Sequence, residues 1–145
     1  MRLEFRTARA EDLPMVTRLL AEVDGEPELP PEQARQILRE MARYPNYSCY
    51  LAFDGAEPVG TFSLLVFTTL VHDGRNDALI EGVVVASARR GQGIGRAMMR
   101  EAMRLAREAG CYKLALSSNS KREDAHRFYR SLGFIEHGVS FGIDL

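Results

Sequence analysis

In Arg90-Gly91-Gln92-Gly93-Ile94-Gly95 three glycines take every second position, shortly after a run of valines and ahead of a helical pattern. Residues of this kind grip anions. The first N–H groups of a helix have no intrahelical acceptor, the helix dipole is positive at that end, and glycine lets backbone approach a phosphate closely. Arg89, Arg90 and Arg96 add positive charge around the turn. The spacing narrows the ligand. No Lys-Ser/Thr pair follows, as a triphosphate-binding P-loop requires. The even spacing of Gly91, Gly93 and Gly95 is not the G-x-G-x-x-G of a dinucleotide fold, which would also place the motif after the first strand. Glu81 stands out for another reason, as the one carboxylate within the apolar run Ala78 to Val85.

Elements must hold these groups in place. Leu3 to Ala8 alternates as a half-buried strand does, and Leu13, Val16, Leu19, Leu20 and Val23 then recur at helical spacing, with Pro14 in the first turn. Asp24 to Glu32 holds three prolines and a glycine and reads as a loop, a candidate lid over a site; Glu32 to Arg43 resumes a helix. Ser48 to Phe53 and Pro58 to Val71 predict two antiparallel strands around a turn at Asp54-Gly55, and His72 to Asp77 a second turn before the strand Ala78 to Ser87. From Gly93 an amphipathic helix of about four turns runs to a stop at Gly110. A strand from Tyr112 to Ser118, a helix from Lys121 to Leu132 closed by Gly133, and a hairpin-like pair around Gly138 complete the order. Antiparallel strands early and a βαβ unit late predict an α/β chain with a single mixed, mostly antiparallel sheet flanked by helices.

The 145 residues suit a single domain, 1–145, able to bury roughly two-thirds of its unfolded surface. A net charge of −1 supplies no footprint for nucleic acid, and no amphipathic segment is basic enough for a membrane surface. No apolar stretch reaches about 18 residues, and the N-terminal residues lack the layout of a signal peptide, so a cytoplasmic protein is expected. Cys49 and Cys111 lack metal-type spacing and read as small buried hydrophobes. His72, His126 and His137 have neither i, i+4 pairing nor a carboxylate cluster beside them, so no metal is expected.

Arg90 to Gly95 resembles the [Q/R]-x-x-G-x-[G/A] signature of the GNAT-type acyl-CoA N-acyltransferases, and Ala125-His126-Arg127-Phe128-Tyr129-Arg130-Ser131-Leu132-Gly133-Phe134 resembles the family's A-x-x-F-Y-x-x-x-G-F element. Leu116 to Phe134 is similar to the aminoalkylphosphonate acetyltransferases within it. The resemblance implies the GNAT fold and acetyl-CoA as co-substrate. Its pyrophosphate would lie on the amides of Gly91, Gln92, Gly93, Ile94, Gly95 and Arg96, beside Arg90. Its pantetheine arm would pair with the backbone of Val83, Val84 and Val85. Ala125 and Phe128 belong to the second element, and Asn119 is a candidate polar contact, because the family's asparagine three residues before the alanine is here Arg122.

The chemistry that follows is attack by an amine on a thioester. An amine with a pKa of about 10.4 must first lose a proton. Glu81 is read as the base or as the holder of a relaying water, the alternative being an edge carboxylate paired with an arginine. Tyr129 occupies the position that in the family protonates the leaving thiolate. The expected acceptor is a primary amine of a small molecule, reached by direct transfer in a ternary complex. Two further readings stay open: a non-catalytic acetyl-CoA-binding sensor or structural module, and an acetyltransferase of protein N-termini or lysines. Dimerisation through the C-terminal strands to a homodimer also stays open.

Overall fold

A computed structural model describes residues 1–23 and 27–145. The chain forms two units, Met1–Ala115 and Leu116–Leu145. In the first, five strands among the described residues make one sheet in the order β1-β2-β3-β4-β5: β1 Leu3–Thr7, β2 Tyr47–Asp54, β3 Glu57–Thr68, β4 Asn76–Val85 and β5 Cys111–Ala115. The first four pair antiparallel and β5 joins β4 in parallel. The alternating and β-branched segments of the sequence thus form the expected mixed sheet.

Helix α1, Leu13–Ala21, has Pro14 in its first turn, where the missing N–H costs nothing. Its Val16 and Leu19 pack with Leu51 and Val84 on one sheet face. Buried Asp12 just before it accepts two hydrogen bonds from the Arg6 guanidinium, at 2.6 and 2.9 Å, and one from the Arg9 N–H at 2.8 Å. The Arg6 bonds hold its carboxyl below the usual carboxylate range against the opposing effect of burial. Helix α2, Pro31–Met41, follows. The lid expected over Asp24 to Glu32 falls partly on Asp24 to Glu26, which lie outside the described residues.

Helix α3, Ile94–Glu108, buries Ile94, Met98, Met99, Ala102 and Ala106 and packs on β3, β4 and β5. Close approach is the reason for Gly60 in β3: a Cβ there would lie 2.5 Å from the Met98 sulfur and 2.9 Å from the Val84 carbonyl oxygen. Phe62, fully buried beside it in β3, contributes about 2–3 kcal/mol by leaving water.

The second unit holds α4, Glu123–Ser131, whose end is turned by Gly133 at φ 92°. The hairpin expected around Gly138 does not form: Phe134 to Leu145 carry no strand. Alternation makes such a segment fit for a sheet, but a strand exists only where a neighbour satisfies its backbone, and no such pairing occurs within the described residues. The strand expected through Ser118 likewise stops at Ala115.

Candidate active site

The pairing of β4 sets the geometry. On one side β3 accompanies it from Asn76 to Val85; on the other, β5 pairs only as far as Leu79↔Ala115. Among the described residues, the backbone from Ile80 to Val85 therefore has a strand on one edge and none on the other. Unpaired N–H and C=O groups in such an edge are a template for an extended, amide-bearing chain. The edge is also kinked. Thr61 pairs with Val84 and Ser63 with Glu81, so Gly82 and Val83 together stand opposite Phe62 alone. Gly82 takes φ +58° in this bulge, a conformation glycine adopts without steric cost.

The bulge leaves Glu81 exposed at the start of the open edge, directly across from Ser63, which in turn pairs with Cys49. Paired residues share a sheet face, so Cys49, Ser63 and Glu81 form one row on the face that α1 covers further along. Tyr47 lies two residues before Cys49; burial pushes its phenol above the usual value, and the Glu81 carboxylate adds to the shift. Burial likewise pushes the Cys49 thiol up, while its sulfur sits 3.4 Å from the Thr61 hydroxyl. Ser63 and Tyr47 were not singled out from the sequence. Only strand register brings them beside Glu81, and no local pattern encodes it.

Beyond Val85 the chain turns through Ser87–Arg89 into the glycine-rich stretch. This turn is tethered. The Ser87 N–H donates to Glu22 at 2.7 Å, and Arg89 donates to Asp54 at 2.5 Å, to Glu57, and to the Gln92 side chain at 3.1 Å. Arg89 was expected to add charge for a phosphate; its guanidinium is instead held by two carboxylates and anchors the turn to the β2–β3 hairpin. The Gln92 side chain is engaged in the same tether. Gly91 and Gly93 take φ +76° and +82°, with open space where a Cβ would stand. That exposes the backbone amides ahead of α3, whose first residues Ile94, Gly95 and Arg96 contribute helix N–H groups. Arg90 is exposed and its Nε reaches the Val85 carbonyl at 3.4 Å. Ile94 and Val84 are buried, so any contact they make with a ligand is through backbone. Val83 and Val85 are half-buried.

An acyl-coenzyme A fits these residues on two observations: a six-residue unpaired edge long enough for a pantetheine arm, and a cradle of positive-φ glycines open to a diphosphate at the edge's far end.

In the second unit, Tyr129 is half-buried in α4, its ring 5.3 Å from that of Phe128 and 5.8 Å from that of Phe134. Burial raises its pKa above the usual 10.0, opposed by the positive charge of Arg122. Its hydroxyl has no hydrogen-bond partner among the described residues. Ala125 and Phe128 are half-buried on the same helix. The Asn119 side-chain oxygen accepts the Lys121 N–H at 2.9 Å, and its backbone oxygen receives Arg122 and the His126 ring. These bonds cap α4. The Ser118 hydroxyl, unmarked in the sequence reading, is buried without a hydrogen-bond partner among the described residues. Leaving such a group unsatisfied costs about 1–3 kcal/mol.

The sequence matches the model of the acetyltransferase (GNAT) family over residues 13–134. It is 36% identical over 138 residues to an aminoalkylphosphonate N-acetyltransferase of Salmonella typhimurium, covering 95% of this chain and 88% of that one. A glucosamine 6-phosphate N-acetyltransferase of Trypanosoma brucei brucei is 37% identical over 87 residues; the match takes in 60% of this chain and 57% of that enzyme. Among solved structures, an acetyltransferase of Trypanosoma brucei superposes with a TM-score of 0.85 at 29% identity, covering 99% of this chain and 100% of the other. A transcriptional regulator of Bacillus halodurans superposes at 0.91 with 32% identity, over 99% and 100% of the two chains.

Proposed function

Because the chain belongs to the GNAT family of acetyltransferases, we propose that it transfers the acetyl group of acetyl-CoA directly to the primary amine of a small molecule. The observation that carries this reading is the unpaired edge of β4 from Ile80 to Val85, running from Glu81 to the glycine cradle. We keep residues 1–145 as one catalytic domain, since the family match spans both units, and place it in the cytoplasm; no described helix is long and apolar enough to cross a membrane.

The donor supplies a thioester whose thiolate leaves readily, with a pKa near the cysteine value of about 8.5. The chain does the rest. Backbone groups of Val83 to Val85 hold the arm in strand register, and the amides from Gly91 to Arg96, with Arg90, hold the diphosphate. Glu81 takes the proton of the acceptor ammonium, directly or through a water bridging to Ser63. The bulge matters here because it turns backbone N–H groups away from the β3 ladder, where one near Val83 can stabilise negative charge on the carbonyl oxygen. Tyr129 returns a proton to the departing sulfur. Asn119, Ala125 and Phe128 complete the coenzyme contacts. None of these steps draws on a metal, and the described residues contain no cluster of three or more His, Cys, Asp or Glu able to hold one.

Acceptors bearing a phosphonate or phosphate come first, on the chemistry of the Salmonella and Trypanosoma relatives. The test is thiol release from acetyl-CoA over a panel of aminophosphonates, amino-sugar phosphates, amino acids, polyamines and lysine peptides. Turnover on a small amine is expected, with kcat/KM lowered about 10²- to 10⁴-fold in Glu81→Gln. A second reading, a non-catalytic module that binds the coenzyme, draws on the likeness to the Bacillus halodurans regulator. It would gain if acetyl-CoA stabilised the protein while no acceptor, peptides included, was acetylated.

A further inference from the structure

Three carboxylates of the first unit stand where local electrostatics disfavours them. Asp54 and Glu57 close the β2–β3 hairpin as directly opposed partners, and like charges in that position repel. Glu22 follows the last residue of α1, at the negative end of its helix dipole. One short stretch resolves both placements. The Arg89 guanidinium donates to Asp54 through Nη2 at 2.5 Å and to Glu57 through Nη1, and the Ser87 N–H donates to Glu22 at 2.7 Å. Nη2 of Arg89 also faces the Met1 sulfur at 3.8 Å, and its Nε donates to the Gln92 side chain at 3.1 Å. All three nitrogens of the guanidinium are thus committed within the protein, and the bond to Gln92 reaches into the glycine-rich stretch itself.

That stretch needs fixing from its flanks. Gly91 and Gly93 meet nothing within 4 Å of where a Cβ would stand, and glycine has the most backbone freedom to lose. We infer that Arg89, anchored by Asp54 and Glu57, is a positioning residue for the coenzyme: it touches no phosphate, and it holds the amides of Gly91 to Arg96 in the arrangement that binds one. This role rests on the coenzyme reading above and adds to it the side chains that preorganise the cradle. Its physical basis is population. A protein whose binding-competent conformation is only fractionally occupied binds its ligand more weakly by that fraction. Arginine suits the task because its planar fork reaches three acceptors at once, where a lysine ammonium is a single point of charge. Charge alone gives the opposite expectation. Two carboxylates to one guanidinium leave the trio net negative, which by itself repels an anionic coenzyme.

The sign of one measurement separates positioning from charge. In Asp54→Ala with Glu57→Ala, calorimetry should show the Kd of coenzyme A rising about tenfold, as a fall of the competent conformation to about a tenth of the population dictates. It should rise although that variant has lost two negative charges; a phosphate contact by a freed Arg89 would lower it. Arg89→Met should weaken coenzyme A by the same factor, and Arg89→Lys should recover little of the loss. In each variant kcat at saturating acetyl-CoA and KM for the acceptor amine should match wild type, since Glu81 and the edge of β4 are untouched. General destabilisation would not give that separation. A Kd that is unchanged or lower in the carboxylate variant overturns the proposal, and so does wild-type affinity in Arg89→Lys. Should Arg89→Met fail to fold, the carboxylate variant, whose changes lie at a hairpin turn, decides alone. Wild-type protein that binds no coenzyme A overturns the coenzyme reading itself and the positioning role with it.

Discussion

Tyr129 carries a proton that its surroundings keep in place. Burial against Phe128 and Phe134 disfavours the phenolate, so the hydroxyl titrates above its usual 10.0 and stays protonated throughout the neutral range. The general-acid role proposed for Tyr129 has a sharp signature in that state. Tyr129→Phe should lower kcat about 10²-fold while KM for acetyl-CoA stays near its wild-type value, and the loss should be equal at pH 7 and pH 9, since the group is protonated at both. A loss that disappears by pH 9 would mean that the phenol had titrated below its usual range, against the direction its burial dictates. Residues at this scale were legible in the sequence where the physics is local. The glycine turn declares itself because amides at a helix start attract anions whatever surrounds them. Arg89 does not, because its carboxylates, Asp54 and Glu57, lie 35 and 32 positions away. Ser63 and Tyr47 were hidden for the same reason: their nearness to Glu81 is created by pairing between strands.

Elements were legible wherever one segment's own periodicity decides its state. Alternation set out β1, the turn at Asp54-Gly55 set out β2 and β3, and 3.6-residue spacing set out α1, α2 and α3. The bulge was not visible, because Gly82 within a valine-rich run reads as a continuous strand until its partner shows two residues facing one. The hairpin around Gly138 fails for the complementary reason, since its pattern is a strand's and the neighbour it needs lies beyond the segment itself. Contact between elements can be tested at Gly60, where α3 rests on β3. In Gly60→Ala the new methyl would meet the Met98 sulfur, which can rotate away, and also the Val84 carbonyl, which is backbone and cannot. Overpacking of this kind costs about 1–3 kcal/mol, and at this chain length Tm should fall by roughly 2–4 °C per kcal/mol in a thermal melt. Because Val84 is part of the open edge, KM for acetyl-CoA should rise as well. A variant with unchanged Tm would show that α3 stands further from the sheet than the Met98 contact requires.

At the scale of the whole molecule, charge and ligand must be reconciled. The protein carries a net charge of −1 and is proposed to bind a coenzyme bearing several phosphate charges, so its overall field gives no attraction. Binding then rests on short-range donors: the amides from Gly91 to Arg96, the Arg90 side chain and the unpaired backbone of β4. Donors of this kind belong to the folded chain alone, because in the unfolded chain no helix start and no splayed strand exist. A ligand bound only by the native state stabilises it by RT ln(1 + [L]/Kd), about 2.7 kcal/mol at a hundred times Kd. For this length that is a rise in Tm of roughly 5–10 °C. Acetyl-CoA and coenzyme A should both produce it, since they share the diphosphate and the arm, whereas acetate and simple thioesters should leave Tm unmoved. Gly93→Ala, which forces a side chain into φ +82° at the cradle, should cut the coenzyme-induced shift by more than it lowers the Tm of the free protein. Equal loss in the two measurements would move the diphosphate away from this turn and leave the glycines with a purely structural duty.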